Sequence, residues 1–334
     1  MKSGENLAAW LGDTARQGRT HQAAMDLARR WSQHPLFRDL DEELDRGGGG
    51  SVPGVIAAAE RFMGRRREYT GLVDELIGAA RADPFFAPPL QMATSEISTG
   101  FAIYSHPALT LTLSVMSVDG LAAKRVGAAG PASLTFGGRP MLYEFVRSGG
   151  ATLSLWEIDP VGQEFVSSRS GRCRMRERRT IADGERIRID GDRQSFVIEH
   201  ASSDLVFLTA AVQIAGAPLS VEFDTRSLAF AGASSNDEAA SRIQMMVSLL
   251  RLMDRADAAP VFEQLLDSSA FYTRWHVMRE YLALDAEAAL PALRRMAQAD
   301  PHPEVRAAAA QALAMFFGEE TRQPAEEEAS LCRA

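Results

Sequence analysis

Apolar positions change their period twice along the chain, and each change marks a boundary. Between positions 6 and 80 they recur at helical spacing. Leu7, Trp10, Leu11 and Ala15 predict one helix, and Ala24, Met25, Ala28 and Trp31 predict a second, with Thr20 as its N-cap. Leu36, Phe37, Leu40 and Leu44 continue the apolar material. Four glycines and a serine at 47–51 then read as a flexible link, because such a run has little helix propensity. It is not a phosphate loop: no Gly-Lys-Ser/Thr ending follows it and no strand precedes it. Val55, Ile56, Ala59, Phe62 and Met63 predict a further helix, as do Leu72, Val73, Leu76, Ile77 and Ala80.

A proline-rich stretch at 84–89 closes this region, and the period then drops to two. Leu109, Leu111, Leu113 and Val115 alternate with Thr110, Thr112, Ser114 and Met116, the pattern of a half-buried strand. Further strands are predicted near 132–136, 141–147, 151–158, 186–189, 195–199, 205–214 and 219–223, with no helix between them. Gly149 and Gly150 read as the tight turn of a hairpin. Many short strands joined by Gly, Pro and Asp turns imply an antiparallel sandwich or barrel.

Helical spacing returns at Asn236-Asp237-Glu238, and the remainder repeats itself at an offset of 31 residues. Asp254 aligns with Asp285, Pro260 with Pro291, Phe262 with Leu293, Leu265 with Met296, and Leu282 with Leu313. Each unit is a helix, a turn opening on Asp, and a second helix opening near Pro. The last unit, from Pro291 through Asp300 and Val305-Arg306 to Leu313, resembles a HEAT-type repeat. That resemblance implies a stacked helical scaffold for protein contacts, with Asp300 and Arg306 as the pair that staples successive repeats. The preceding unit departs from the pattern, with Ser269 and Trp275 at the equivalent positions.

Composition narrows the function. Of 334 residues, 46% are hydrophobic and 24% charged, ample for packed cores. No apolar run approaches the roughly 20 residues of a membrane span, and no secretory signal is visible at the start. Cys173 and Cys332 form neither a disulfide nor a metal pattern, as expected of a reducing cytoplasm. A net charge of -8 argues against general affinity for nucleic acid or anionic membrane. Lysine occurs only at Lys2 and Lys124, so 34 of the 36 basic residues are arginine. Such a bias is expected of a GC-rich genome, and it weakens any argument from an arginine cluster.

The segment 181–204 resembles the second conserved segment of a cupin in its rhythm of turn, strand, turn and strand. It departs at the metal positions: Gln194 and Ser195 stand near the expected histidine, and His200 comes several residues late. The hairpin at 143–156 lacks the His-x-His of the first segment. The resemblance therefore implies a cupin-like β domain without a cupin metal centre. His106 and His200 are the β region's only histidines, and no histidine pair in the chain has metal-ligand spacing. Gly-x-Ser-x-Gly is absent, and neither cysteine has a histidine beside it. The most unusual feature is the run from Arg172 to Arg179. If extended, it places Arg172, Arg174, Arg176 and Arg178 on one face, suited to phosphate or carboxylate. The simpler reading is a solvated edge strand whose charges block unwanted pairing.

The expected architecture is α+β and multidomain. A helical region at 1–90 precedes a cupin-like β-sandwich or barrel at 91–235. HEAT-like helical repeats follow at 236–318, and a flexible acidic tail at 319–334. The expected function is non-catalytic: the β domain binds or senses a small molecule or peptide, and the repeats engage a protein partner. Candidate ligand-binding residues are Arg172, Arg174, Arg176, His106 and His200. No cofactor, metal, nucleic acid or membrane is expected, and the expected location is cytoplasmic. The alternative is a cupin-type enzyme using the β pocket for metal-dependent oxidation, isomerisation or epimerisation.

Overall fold

A computed structural model describes residues 2–127, 133–162, 165–268 and 270–317. The tail expected at 319–334, Ser269 and Cys332 lie outside the described residues, as does the start of the strand expected at 132. The chain falls into two compact units. The first comprises Met1–Pro160, Arg172–Gly216 and Glu222–Ala231, and the second Val161–Gly171, Ala217–Val221 and Gly232–Ala334.

The first unit opens with α1 (Lys2–Leu11), α2 (Thr14–Ser32), α3 (Pro35–Asp45), α4 (Val52–Gly64) and α5 (Arg66–Ala82). Thr20 is not an N-cap. Asp13 caps α2 by accepting the Arg16 N–H at 2.8 Å, so α2 begins a turn and a half earlier and holds Thr20 buried in its interior. There the Thr20 hydroxyl donates to Asp83. The glycine run is not a loose link either. Gly48–Gly50 form a 3-10 turn, and a Cβ on Gly48 or Gly49 would stand 2.8 Å from the Glu43 or Leu44 carbonyl oxygen. Glycine is needed there because the turn folds back on the end of α3.

Strands β1 (Gln91–Thr94), β2 (Ser98–His106) and β3 (Leu109–Met116) lead into α6 (Val118–Gly127), a helix not anticipated between strands. There follow β4 (Ser133–Phe136), β5 (Met141–Arg147), β6 (Thr152–Glu157), β7 (Arg174–Thr180), β8 (Arg186–Ile189), β9 (Gln194–His200), β10 (Leu205–Val212), β11 (Leu219–Asp224) and β12 (Phe230–Ser235). They form a six-stranded sheet of order β1-β2-β3-β10-β5-β8 and two three-stranded sheets, β7-β6-β9 and β12-β11-β4. The ladders of the first two are antiparallel, and the sheets are open rather than closed into a barrel.

Strand alternation divides the core into two layers. On β5, Leu142 and Glu144 face one way, and Tyr143 and Phe145 the other. The first face joins Leu109, Leu111, Leu208, Ala210 and Val212 to the helices through Trp31, Phe37, Val55, Phe62 and Tyr69. The N-terminal helices therefore share one core with the sheet. Within this layer the buried Glu144 carboxylate accepts the Tyr69 hydroxyl at 2.9 Å and the Arg186 Nε at 2.9 Å, so no charge is left unpaired. The second face packs Phe145, Ile187 and Ile189 against Leu153 and Ile198 of the β7-β6-β9 sheet.

That layering corrects the hairpin expected at Gly149-Gly150. β5 pairs with β10 and β8, whereas β6 pairs with β7 and β9, so the turn carries the chain from one sheet to another. Both glycines have left-handed φ, 59° and 65°. A Cβ on Gly149 would stand 2.3 Å from the Ser203 carbonyl oxygen. The Gly149 carbonyl instead accepts the Ser202 N–H at 2.8 Å, a bond to the chain beyond β9 rather than across a hairpin.

The second unit is built on α7 (Glu238–Leu252), α8 (Ala259–Leu265), α9 (Phe271–Leu284), α10 (Ala286–Ala299) and α11 (Pro303–Phe317). The 31-residue register holds in the packing: Phe262 and Leu293, its equivalent one unit on, are both fully buried. Asp285 caps α10 by accepting the Ala288 N–H at 2.9 Å. Repeat units of this kind bury their apolar faces by stacking, and α9 packs against α7, α8 and α10. No helix among the described residues is long and apolar enough to cross a membrane.

Candidate functional site

The second unit carries an open groove of about 890 Å³ lined by the α8 and α10 helices. Leu266 and the buried Ala292 and Met296 give it an apolar floor. Glu263 and Asp267 line it on the α8 side, and Arg295 on the α10 side. An apolar floor with opposite charges on its two walls suits a peptide segment, because it fixes orientation as well as register.

One end of the groove is held by a buried ion pair. Arg274 of α9 donates from Nε and Nη2 to the two Asp300 oxygens, each at 2.8 Å, and from Nη1 to the Ser268 carbonyl at 2.9 Å. The two side chains are 8% and 3% exposed. Burial alone would raise the Asp300 carboxyl. The Arg274 hydrogen bonds, the His302 N–H at 2.8 Å and the nearby positive charge outweigh it and hold that carboxyl below its usual range. Arg306 reaches the same turn by a different route, donating to the Asp300 and Pro301 backbone carbonyls at 2.5 and 3.1 Å. Asp300 and Arg306 thus meet through the backbone, and the side-chain link between successive units runs from Asp300 to Arg274. The 31-residue alignment put Trp275 opposite Arg306 and passed over its neighbour Arg274. The signal available was an arginine one position out of register. His302 completes this end, stacked on Phe271 at 3.8 Å between ring centres, with its Nε2 3.0 Å from the Phe165 carbonyl.

The residues singled out in the β region fall in separate places. Arg174, Arg176 and Arg178 lie on β7, the outer strand of its sheet, and each stands near an acid: Asp159 at 3.4 Å, Glu157 at 3.7 Å and Glu199 at 2.5 Å. These pairs are solvent-exposed, so each contributes little to stability, but together they offset the charge of the arginine face. Arg172 precedes the strand, forms a backbone bridge to Ala229 and is exposed. His106 ends β2. Its Nδ1 accepts the Ala108 N–H at 3.1 Å, and its Nε2 lies 3.3 Å from Asp45. His200 ends β9, exposed and paired with Thr152. Among the described residues, no three His, Cys, Asp or Glu side chains converge to hold a metal. Cys173 is buried, and burial pushes its thiol pKa up, away from a reactive thiolate.

A smaller cleft of about 300 Å³ lies in the first unit between α2, α3 and β2. Leu27, Trp31, Phe37, Leu90 and Tyr104 line it, with Asp41 at its rim. Phe37 and Tyr104 stack at 5.9 Å and 5°, and the Tyr104 hydroxyl donates to Asp41 at 2.6 Å. Burial, and then the Asp41 bond, push the Tyr104 pKa up. Trp31 and Phe37 stand in the helical pattern as core residues and Tyr104 lies on β2, so nothing local in the sequence marked the three as a cleft.

Comparison with known proteins bears on the repeats. A family model of HEAT repeats matches residues 230–314. The C-terminal region carries HEAT-like repeats. No curated protein matches the chain. Solved structures with partial likeness include a protein of unknown function from Vibrio parahaemolyticus. It is 14% identical, with 36% of this chain and 96% of that one covered, at a TM-score of 0.22. AerE from Microcystis aeruginosa is 9% identical over 43% of this chain and 60% of its own, at 0.24. The polyketide cyclase RemF from Streptomyces resistomycificus is 11% identical over 45% and 81%, at 0.23. Likeness at this level carries no argument about the β region.

Proposed function

We propose that the chain is a non-catalytic binding protein whose HEAT-like repeats engage a peptide segment of a protein partner. The observation that carries this reading is the groove lined by α8 and α10, with Glu263 and Asp267 contributed from the α8 side, Arg295 from α10, and Leu266, Ala292 and Met296 as apolar lining. HEAT repeats are in general protein-interaction elements, which supports the same reading. The partner segment would present basic side chains toward α8, an acidic one toward α10, and an apolar residue over Met296. The β region, read as cupin-like in its segment rhythm, would bind or sense a small molecule. Because Arg174 and Arg176 are matched by acids, the aromatic cleft at Trp31, Phe37 and Tyr104 is the better place for such a ligand. It favours a small, largely apolar molecule with one donor for Asp41.

The test is capture of partners by the full chain from its native cell, alongside Arg295→Glu and Ala292→Trp variants. The first reverses one wall and the second fills the floor. A partner retained by the wild type and lost with both variants is the expected result. A set of captured proteins unchanged by either variant would remove the groove from the function.

A further inference from the structure

α7 has two faces of opposite use. Its inner face holds Ala240, Val247 and Ile243 against the rest of the second unit, and Ser248 and Arg251 turn inward to His276 at 3.0 Å and to Glu280. Its outer face carries Met245, Met246, Leu249 and Leu252 and is continued by the C-cap residue Met253; the five are 72, 65, 55, 70 and 55% exposed. Five large apolar side chains on one helix, uninterrupted by charge, are not the scattered exposure of an ordinary surface. Steps of three and four residues make them one seam along the helix, the spacing by which helices pack side by side.

We infer that this seam is a self-association surface, at which α7 packs antiparallel on α7 of a second copy of the chain about a two-fold axis near Leu249. The seam is symmetric. Counted from Leu249, its members lie at -4, -3, +3 and +4, so it maps onto itself when the helix is reversed. A two-fold operation demands such a surface, because each residue must face the reversed position on its partner. Leu249 then meets its own copy. Met246 meets Leu252, and Met245 meets Met253. These are matched volumes, and unbranched methionine adapts to what remains. The five residues expose about 600 Å² per copy, so a seam that covers them completely buries at most about 1,200 Å² in the pair. That is the lower end of specific interfaces, so a reversible dimer is expected.

Sedimentation velocity of the full chain across a concentration series tests this. The wild type should shift reversibly from a 36.3 kDa monomer toward twice that mass as concentration rises. Leu249→Asp and Met246→Asp should sediment as monomers with unchanged far-UV circular dichroism, since both positions are solvent-exposed. In a Cys332→Ser background, Leu249→Cys should form an oxidised homodimer, whereas Ala239→Cys should not. Met245→Cys should cross-link to Met253→Cys more readily than to itself. A wild type that stays monomeric at about 100 µM would overturn the inference. So would a dimer unaffected by Leu249→Asp, or cross-linking at Ala239→Cys in preference to Leu249→Cys.

Discussion

Replacing Arg274 by alanine is the sharpest test of how the repeats hold together. The guanidinium is 8% exposed and binds both oxygens of a carboxylate that is itself 3% exposed. Its removal leaves the Asp300 charge buried with only the His302 N–H as a side-chain-independent partner. Breaking a buried pair in this way costs about 3–5 kcal/mol. The chain supplies its own control. Arg255 and Asp257 form an ion pair of similar length, 2.7 Å, but are 50% and 67% exposed. Arg255→Ala should therefore leave the stability of the repeats almost unchanged, because an exposed pair is screened by solvent. Hydrogen exchange read on peptides from α9, α10 and α11 is the suitable assay, because it reports the second unit separately from the first. Protection there should fall by about two to four orders of magnitude in Arg274→Ala, the exchange equivalent of that cost, and barely change in Arg255→Ala. Replacing both partners, Arg274→Met with Asp300→Leu, should recover much of the loss because no lone charge remains. If Arg274→Ala proves as mild as Arg255→Ala, the buried pair is not what joins the units.

Other expectations follow from the same structure. Asp300 is held below its usual range, so its contribution is complete above about pH 4, the unfolded aspartate value, and is lost as pH falls through the lower folded value. An acid titration of repeat stability should show that loss in the wild type and lack it in the Arg274→Met, Asp300→Leu double variant. Gly149→Ala should destabilise the first unit by more than about 1 kcal/mol, since its φ is 59° and its Cβ would meet the Ser203 carbonyl; Gly18→Ala, in open space within α2, should be neutral or stabilising in the same denaturant titration. Leu293→Ala removes a fully buried side chain and should cost about 2–5 kcal/mol by the same method. Elemental analysis of the purified chain should find no stoichiometric zinc, iron, manganese or nickel; one equivalent lost on replacing His106 or His200 would favour the enzyme reading.

Periodic features were legible because each residue reports them locally. Leu109 to Met116 alternate as expected of β3, and β5 and β8 begin and end where the pattern placed them. The 31-residue repeat was visible for the same reason: one packing geometry recurs and selects the same residues. What was not legible depends on distant partners. Gly149-Gly150 reads locally as a hairpin, but β5 finds β10 and β8 while β6 finds β7 and β9, and no local signal encodes that choice. Thr20 looks like a cap until Asp83, 63 residues away, draws its hydroxyl inside. The arginine run on β7 was found, but its neutralising acids come from β6, β9 and the turn after β6. Arg274 was missed because a tolerant ion pair can be rebuilt one residue out of register, where a strict alignment does not look.

The central claim is that this chain works by holding a protein segment in its repeat groove. Site-specific photo-crosslinking in the native cell tests it most directly, with the reactive amino acid placed at Arg295, at Glu263 and, as a control, at Arg178 on the outer strand of the β7-β6-β9 sheet. The account predicts one discrete partner joined from both groove positions, mapped to a segment with basic and apolar residues, and absent from the control. Cross-links from Arg178 alone, or none from either groove position, would contradict it.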